Sequence, residues 1–215
     1  APDQTFDNIP FLGPGAYVVN DLVVPMDVMI QGVGFRTQIK SAWNTNARVL
    51  GLAGGRSTQL RDLCVLAGNP AYTASAIEIR ASEAWFPGGV RYIDNVVVDL
   101  ESSLENRGRC IALVDDDGSG ISWFKMADSL LRFAGDTAIL MQVNDGWING
   151  NAFKDVAVQD GRCVLRQEAG DKPCDGNIFR LYANAEDRMR VFMVAAGANN
   201  RYHLQTYDMG HIEHN

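Results

Sequence analysis

The chain is 215 residues long, 47% hydrophobic and 21% charged, a balance that supplies a buried core and excludes a disordered chain or a coiled coil. Nineteen Lys and Arg against 26 Asp and Glu leave a formal charge of −7, which argues against nucleic acid, whose phosphates need a basic face, and against anionic membranes. The longest apolar stretch, near Val191–Ala198, falls far short of the ~18 residues of a membrane helix, and the first residues lack the basic and apolar regions of a signal peptide. A soluble chain with no membrane insertion is the expectation.

Along the chain, residues 1–14 read as an N-terminal cap or linker. Then Gly15–Val19, Leu22–Val24, Asp27–Phe35 and Thr37–Lys40 read as a first set of short strands separated by tight turns. From there apolar-x-apolar strands recur at Val49–Leu52, Ala76–Ile79, Cys110–Leu113, Ala138–Met141, Cys163–Leu165 and Val191–Val194. A second series interleaves with them, beginning at Leu60, Ile93, Phe124, Phe153, Phe179 and Tyr202, at intervals of 33, 31, 29, 26 and 23 residues. Smaller marks repeat as well. Gly108-Arg109-Cys110 returns as Gly161-Arg162-Cys163, and Asn-x-aromatic occurs at Asn151/Phe153, Asn177/Phe179 and Asn200/Tyr202. Residues 208–215 are left as a C-terminal tail or a link to a following domain.

A repeat of roughly thirty residues carrying two short strands, with no apolar 3.6-residue periodicity, predicts an all-β solenoid rather than helices. The architecture that stacks like strands over like strands at each turn of the chain is a parallel β-helix, here spanning 15–207 in about seven coils. Unequal repeats then loop outward at the corners, and Leu60, Ile93, Phe124, Phe153, Phe179 and Tyr202 form one interior column. Cys64, Cys110, Cys163 and Cys174 fit neither a zinc site nor a disulfide scaffold and read as reduced core residues. His203, His211 and His214 all lie in the last thirteen positions, which excludes a His-centred triad or a three-His zinc site elsewhere; no metal and no cofactor are expected.

Tyr17 to Lys40 resembles the opening coil of the pectate-lyase-like right-handed parallel β-helices, and Asn149 to Val156 is similar to the coils of bacteriophage tailspike and tail-fibre proteins. The resemblance runs over about residues 12–207 and implies a single-stranded right-handed β-helix that meets carbohydrate. It implies a homotrimer in a virion tail assembled in the bacterial host cytoplasm, with host cell-surface polysaccharide and other tail proteins as partners. Three functions stay open: a structural, receptor-contacting tail protein, a virion-borne glycan depolymerase, and a secreted polysaccharide lyase or hydrolase. The calcium-binding carboxylate cluster of the pectate lyases is not evident. Gly-His-Gly and Asn-Thr-Asp of the polygalacturonases are absent.

A glycosidase needs only two carboxylates, one acting as acid and the other as base or nucleophile. Asp115, Asp117 and Asp145 are the catalytic candidates, beside a group of Asp94, Asp99 and Glu101 on one coil. The competing reading is structural: Asp62, Asp94 and Asp155 stand at matching places as repeated turn residues, and Asp115–Asp117 form a solvated loop. Trp85 with Glu83, and Trp147 with Asp145, are the candidate sugar-binding pairs, followed by Trp43 and Tyr72; the alternative is a Trp packed over the coil beneath it. Consecutive apolar residues at Val96–Val98, Ile139–Met141 and Val191–Val194 require cover on both faces, from a loop of the same chain or from neighbouring copies.

Overall fold

The structure is a computed structural model that describes residues 5–6, 9–55, 57–83, 90–184 and 189–207. Strands β1 (Thr5–Phe6) and β2 (Ile9–Pro10) pair antiparallel at the start. There follow β3 (Gly15–Val19), β4 (Leu22–Val24), β5 (Met29–Gln31), β6 (Thr37–Ser41), β7 (Leu50–Leu52), β8 (Thr58–Ala67) and β9 (Ser75–Arg80), then a 3-10 turn at Ala81–Glu83. Next come β10 (Arg91–Leu100), β11 (Arg109–Asp115), β12 (Ile121–Ser122), β13 (Phe124–Ala127), β14 (Leu130–Arg132), β15 (Ile139–Val143) and β16 (Ile148–Asn149). The last are β17 (Ala152–Gln159), β18 (Cys163–Glu168), β19 (Ile178–Asn184), β20 (Val191–Val194) and β21 (Arg201–Tyr207).

The chain alternates between two sheets. One runs β3-β6-β8-β10-β13-β17-β19-β21, with β5 beside β8 and β14 between β10 and β17; the other runs β4-β7-β9-β11-β15-β18-β20. Every pairing within them is parallel. A two-stranded parallel sheet of β12 and β16 joins them at a corner. The protein is therefore all-β with long parallel sheets, an alternation compatible with a β-solenoid.

The strands form because inward positions are apolar at every second residue and stack in register. On the second sheet Leu50, Ile77, Ile111, Ile139, Leu165 and Met193 make one column. On the first, the column is Leu60, Ile93, Met126, Phe153, Phe179 and Tyr202. This corrects the sequence expectation at one rung, because Phe124 pairs with Arg91 and Met126 takes the ladder position. Both are inward residues of β13, so a period of two leaves their order ambiguous; the register is fixed instead by Asn151, whose Oδ1 accepts the Phe124 N–H at 2.9 Å. The rings still stack: Phe153 and Phe179 lie 5.5 Å apart at 12°, Phe179 and Tyr202 5.3 Å apart at 5°, and Phe124 reaches Phe153 diagonally at 5.4 Å.

Asn151, Asn177 and Asn200 form an amide ladder. Asn177 Oδ1 accepts the Asn151 N–H at 2.9 Å, and Asn200 Oδ1 accepts the Asn177 N–H at 2.8 Å. The repeated Asn-x-aromatic pattern is this ladder beside the ring stack.

Bends repeat in the left-handed conformation. Asp62, Asn95, Asp128 and Asp155 form one such column, with φ between 47° and 56°. Asn95, and not Asp94, is thus the equivalent of Asp62 and Asp155; Asp94 stands one residue earlier and accepts Arg61 Nη2 at 2.6 Å.

All four cysteines are free and buried, and burial raises each thiol's pKa. Of the outward apolar positions, Val97 and Leu140 are 8% and 2% exposed in the single chain, so the chain itself covers them. Val191 and Val194, on β20, are exposed. Among the described residues no helix is long and apolar enough to cross a membrane. The segment 208–215, with His211 and His214, lies outside the described residues, as do 1–4 and 7–8 of the N-terminal segment.

Candidate functional site

The residues singled out from sequence divide into two corners and a groove. Asp115, the last residue of β11, is fully buried. Its Oδ1 accepts the Gly120 N–H at 3.2 Å, and its Oδ2 accepts the N–H groups of Asp145, at 2.9 Å, and Gly146. Those bonds occupy the carboxylate in closing two turns, one above the other, as a buried acceptor must be satisfied. Asp117 Oδ1 accepts the N–H and the hydroxyl of Ser119, at 2.9 and 2.5 Å. Asp145 is exposed, 3.4 Å from Lys172 Nζ. Trp147 is half-buried with its indole against Gly120, which has φ of 81° and no room for a side chain. Asp115 and Asp145 are brought together by backbone, and Trp147 packs over the coil beneath it.

Glu83 accepts both terminal nitrogens of Arg48, Nη1 at 2.9 Å, and Arg48 Nε also pairs with Asp21. Trp85 lies outside the described residues. Tyr72 is fully buried, its hydroxyl 2.9 Å from the carbonyls of Ala47 and Ser75. It presents no face to a ligand.

Trp43 and the Asp99–Glu101 pair meet at a different place. Ile39, Val65, Val98 and Leu131 point inward, so Lys40, Leu66, Asp99 and Arg132, next along the same strands, form an outward column in parallel register. The turns after these strands carry Trp43, Glu101 and Phe133. Lys40, Leu66, Asp99, Trp43, Glu101 and Phe133 line a groove of about 670 Å³, and Arg132 adjoins it through Asp99. Trp43 is 68% exposed, with its ring over the open side of Gly68, where a Cβ would just reach it, leaving most of its indole to solvent.

Opposite, Arg132 Nη1 donates to Asp99 Oδ2 at 3.0 Å, and its guanidinium lies 4.7 Å from the centre of the Phe133 ring. Burial raises the pKa of the Asp99 carboxyl, Arg132 opposes the rise, and nearby Glu101 adds to it. Two residues before Leu66 on the same outward face of β8, burial holds the Cys64 thiol at about 12, unreactive at neutral pH. An aromatic face, a cation and two carboxylates on one open surface can stack on a sugar ring and hydrogen-bond its hydroxyls.

Lys40, Arg132 and Phe133 escaped the sequence reading. The signal for Arg132 was available, because it stands 33 residues after Asp99 (132 − 99), the interval that separates Leu60 from Ile93 (93 − 60). Among the described residues no group of three His, Cys, Asp or Glu side chains is placed to hold a metal ion. No protein-family model, no curated protein and no solved structure matches this chain.

Proposed function

We propose that the chain is a right-handed parallel β-helix of about seven coils, a tail-fibre or tailspike-type structural protein of a bacteriophage, that contacts host surface polysaccharide. The observation that carries the binding reading is the groove itself: Trp43 left open to solvent in a groove that Lys40, Asp99 and Glu101 also line. The stacked parallel sheets and the sequence resemblance support the fold and the virion-tail location. A homotrimer belongs to the same reading, with exposed Val191 and Val194 as its apolar contacts, and other tail proteins at the ends of the stack.

The test is binding of the full chain to an array of bacterial capsular polysaccharides and lipopolysaccharides. A bound glycan lost on Trp43→Ala, with the fold intact by circular dichroism, supports the reading. No glycan bound, or binding indifferent to Trp43→Ala, sinks it.

A second reading, glycan depolymerase, is favoured by one observation: Asp99, whose raised pKa suits a proton donor, shares the groove with a second carboxylate, Glu101. New reducing ends released from the bound glycan by the native chain and not by Asp99→Asn support it; their absence overturns it.

A further inference from the structure

The first sheet carries a second surface at the starts of β13, β17, β19 and β21, far along the strands from the groove. Trp123, Gly150, Gly176 and Asn199 stand in one column, aligned by the pairs Ser122 with Asn149, Ala152 with Ile178, and Ile178 with Arg201. All four adopt the left-handed conformation, with φ of 63°, 67°, 64° and 56°. Glycine and asparagine take it readily; a bulky aromatic does so at an energetic cost absent for glycine. Burial does not offset that cost, since Trp123 is 57% exposed. A side chain at Gly150 or Gly176 would point into open space, so beside the indole the column is bare backbone for two coils.

Two residues on, the outward column is Lys125, Ala152, Ile178 and Arg201, and beyond it lie Lys154, Arg180 and His203, exposed like Lys125 and Arg201. Lys125, Lys154 and Arg201 make no ion pair among the described residues, whereas Arg180 pairs with Asp155 at 3.2 Å. Asp128 and Asp155, at the next bend, are the nearest carboxylates on these strands. On a chain of net charge −7, a strip of four formal cations with two carboxylates at its margin is a local reversal of sign. Around Ile178, Arg180, Arg201 and His203 the surface dips into a depression of about 330 Å³.

We propose that this trough is a second binding site, for an acidic polysaccharide lying along the stacking axis, with Trp123 stacked on one sugar and Lys125, Lys154, Arg180 and Arg201, one on each of four successive coils, paired with carboxylates of successive units. Coils repeat about every 4.8 Å, close to the length of one hexose unit, so a cation on each coil can meet a charge on each sugar. That the ligand is a polysaccharide rests on the function proposed above; its acidity rests on the strip.

The experiment measures binding of the full chain to alginate, which has a carboxylate on every unit, with neutral dextran and single-stranded oligothymidine as comparisons. Alginate is expected to bind at low salt, to weaken as salt rises, and to bind far better than dextran or oligothymidine. The double variant Lys125→Gln, Arg201→Gln and the single variant Trp123→Gly should each weaken alginate about tenfold, the scale of a lost stack or charge pair. Because glycine suits the backbone at position 123, that variant keeps the fold, and a loss of binding reads the indole alone. Alginate that fails to bind, binds the variants equally, or is matched by oligothymidine overturns the proposal. Failure of the groove is read separately, as an array glycan whose binding Trp43→Ala leaves intact, whereas failure of the trough is alginate binding that the variants at Trp123, Lys125 and Arg201 leave intact.

Discussion

The corner at Asp115 and the groove at Asp99 hold the same kinds of residue, a tryptophan, a carboxylate and glycines, and use them in opposite ways. At the corner, three backbone N–H groups saturate Asp115 and the Trp147 indole is pressed on Gly120. In the groove, Asp99 keeps only part of its surface in an ion pair with Arg132, and Trp43 stands largely in solvent beside Gly68. Hydrogen-bond accounting separates the two where residue type cannot: a saturated buried carboxylate builds the fold, and a half-satisfied one at an open surface is available to a ligand.

That contrast is calibrated by the ladder on which both regions hang. Phe153→Ala removes a fully buried ring stacked on Phe179 and should destabilise by about 3–5 kcal/mol in urea unfolding. Asp115→Ala comes next. It strands three N–H groups, for a loss of about 2–3 kcal/mol, with glycan binding in the groove unaltered. Trp147→Ala should destabilise by about 1–2 kcal/mol, and Trp43→Ala by less than about 0.5 kcal/mol while abolishing binding. If the two tryptophans trade these effects, the division into building corner and binding groove is wrong.

The smallest effect is one of pH. The native state holds the Asp99 proton to a higher pH than the unfolded chain does, because burial disfavours the charged form. Its ionised carboxylate therefore weakens the fold at neutral pH, and that weakening fades as pH falls through the raised native value. Asp99→Asn should thus gain most over the native chain at neutral pH and lose the advantage in acid. Thermal melts of the two proteins across that range check the sign; a gap that widened in acid would contradict it.

The repeat was legible in the sequence because apolar alternation, glycines and the Asn-x-aromatic mark all recur at nearly the same places. It blurred at β13, where Phe124 and Met126 satisfy the same alternation and only the Asn151 hydrogen bond decides between them. The turn column was off by one at Asp94 for a related reason, since side-chain type does not report φ and Asn95 fills the bend as well as Asp62 does. Sites were less legible than fold. Asp115 opens an acidic loop and Glu83 stands two residues before Trp85, and nothing in their sequence neighbours says that Gly120, Asp145, Gly146 and Arg48 already engage them. Asp99 and Trp43 were visible as residues, but their meeting depends on strand register across intervals that only the ladder defines.

The amide ladder bears on how such a rod could change length. Asn151 and Asn177 each offer a backbone N–H to the following rung, and they are separated by 26 residues that make one full circuit of the two sheets. A tandem copy of residues 152–177 spliced after Asn177 would present the same acceptor to the same donor. Growth by duplication would lengthen the stack by one step of about 4.8 Å without a new junction having to be invented.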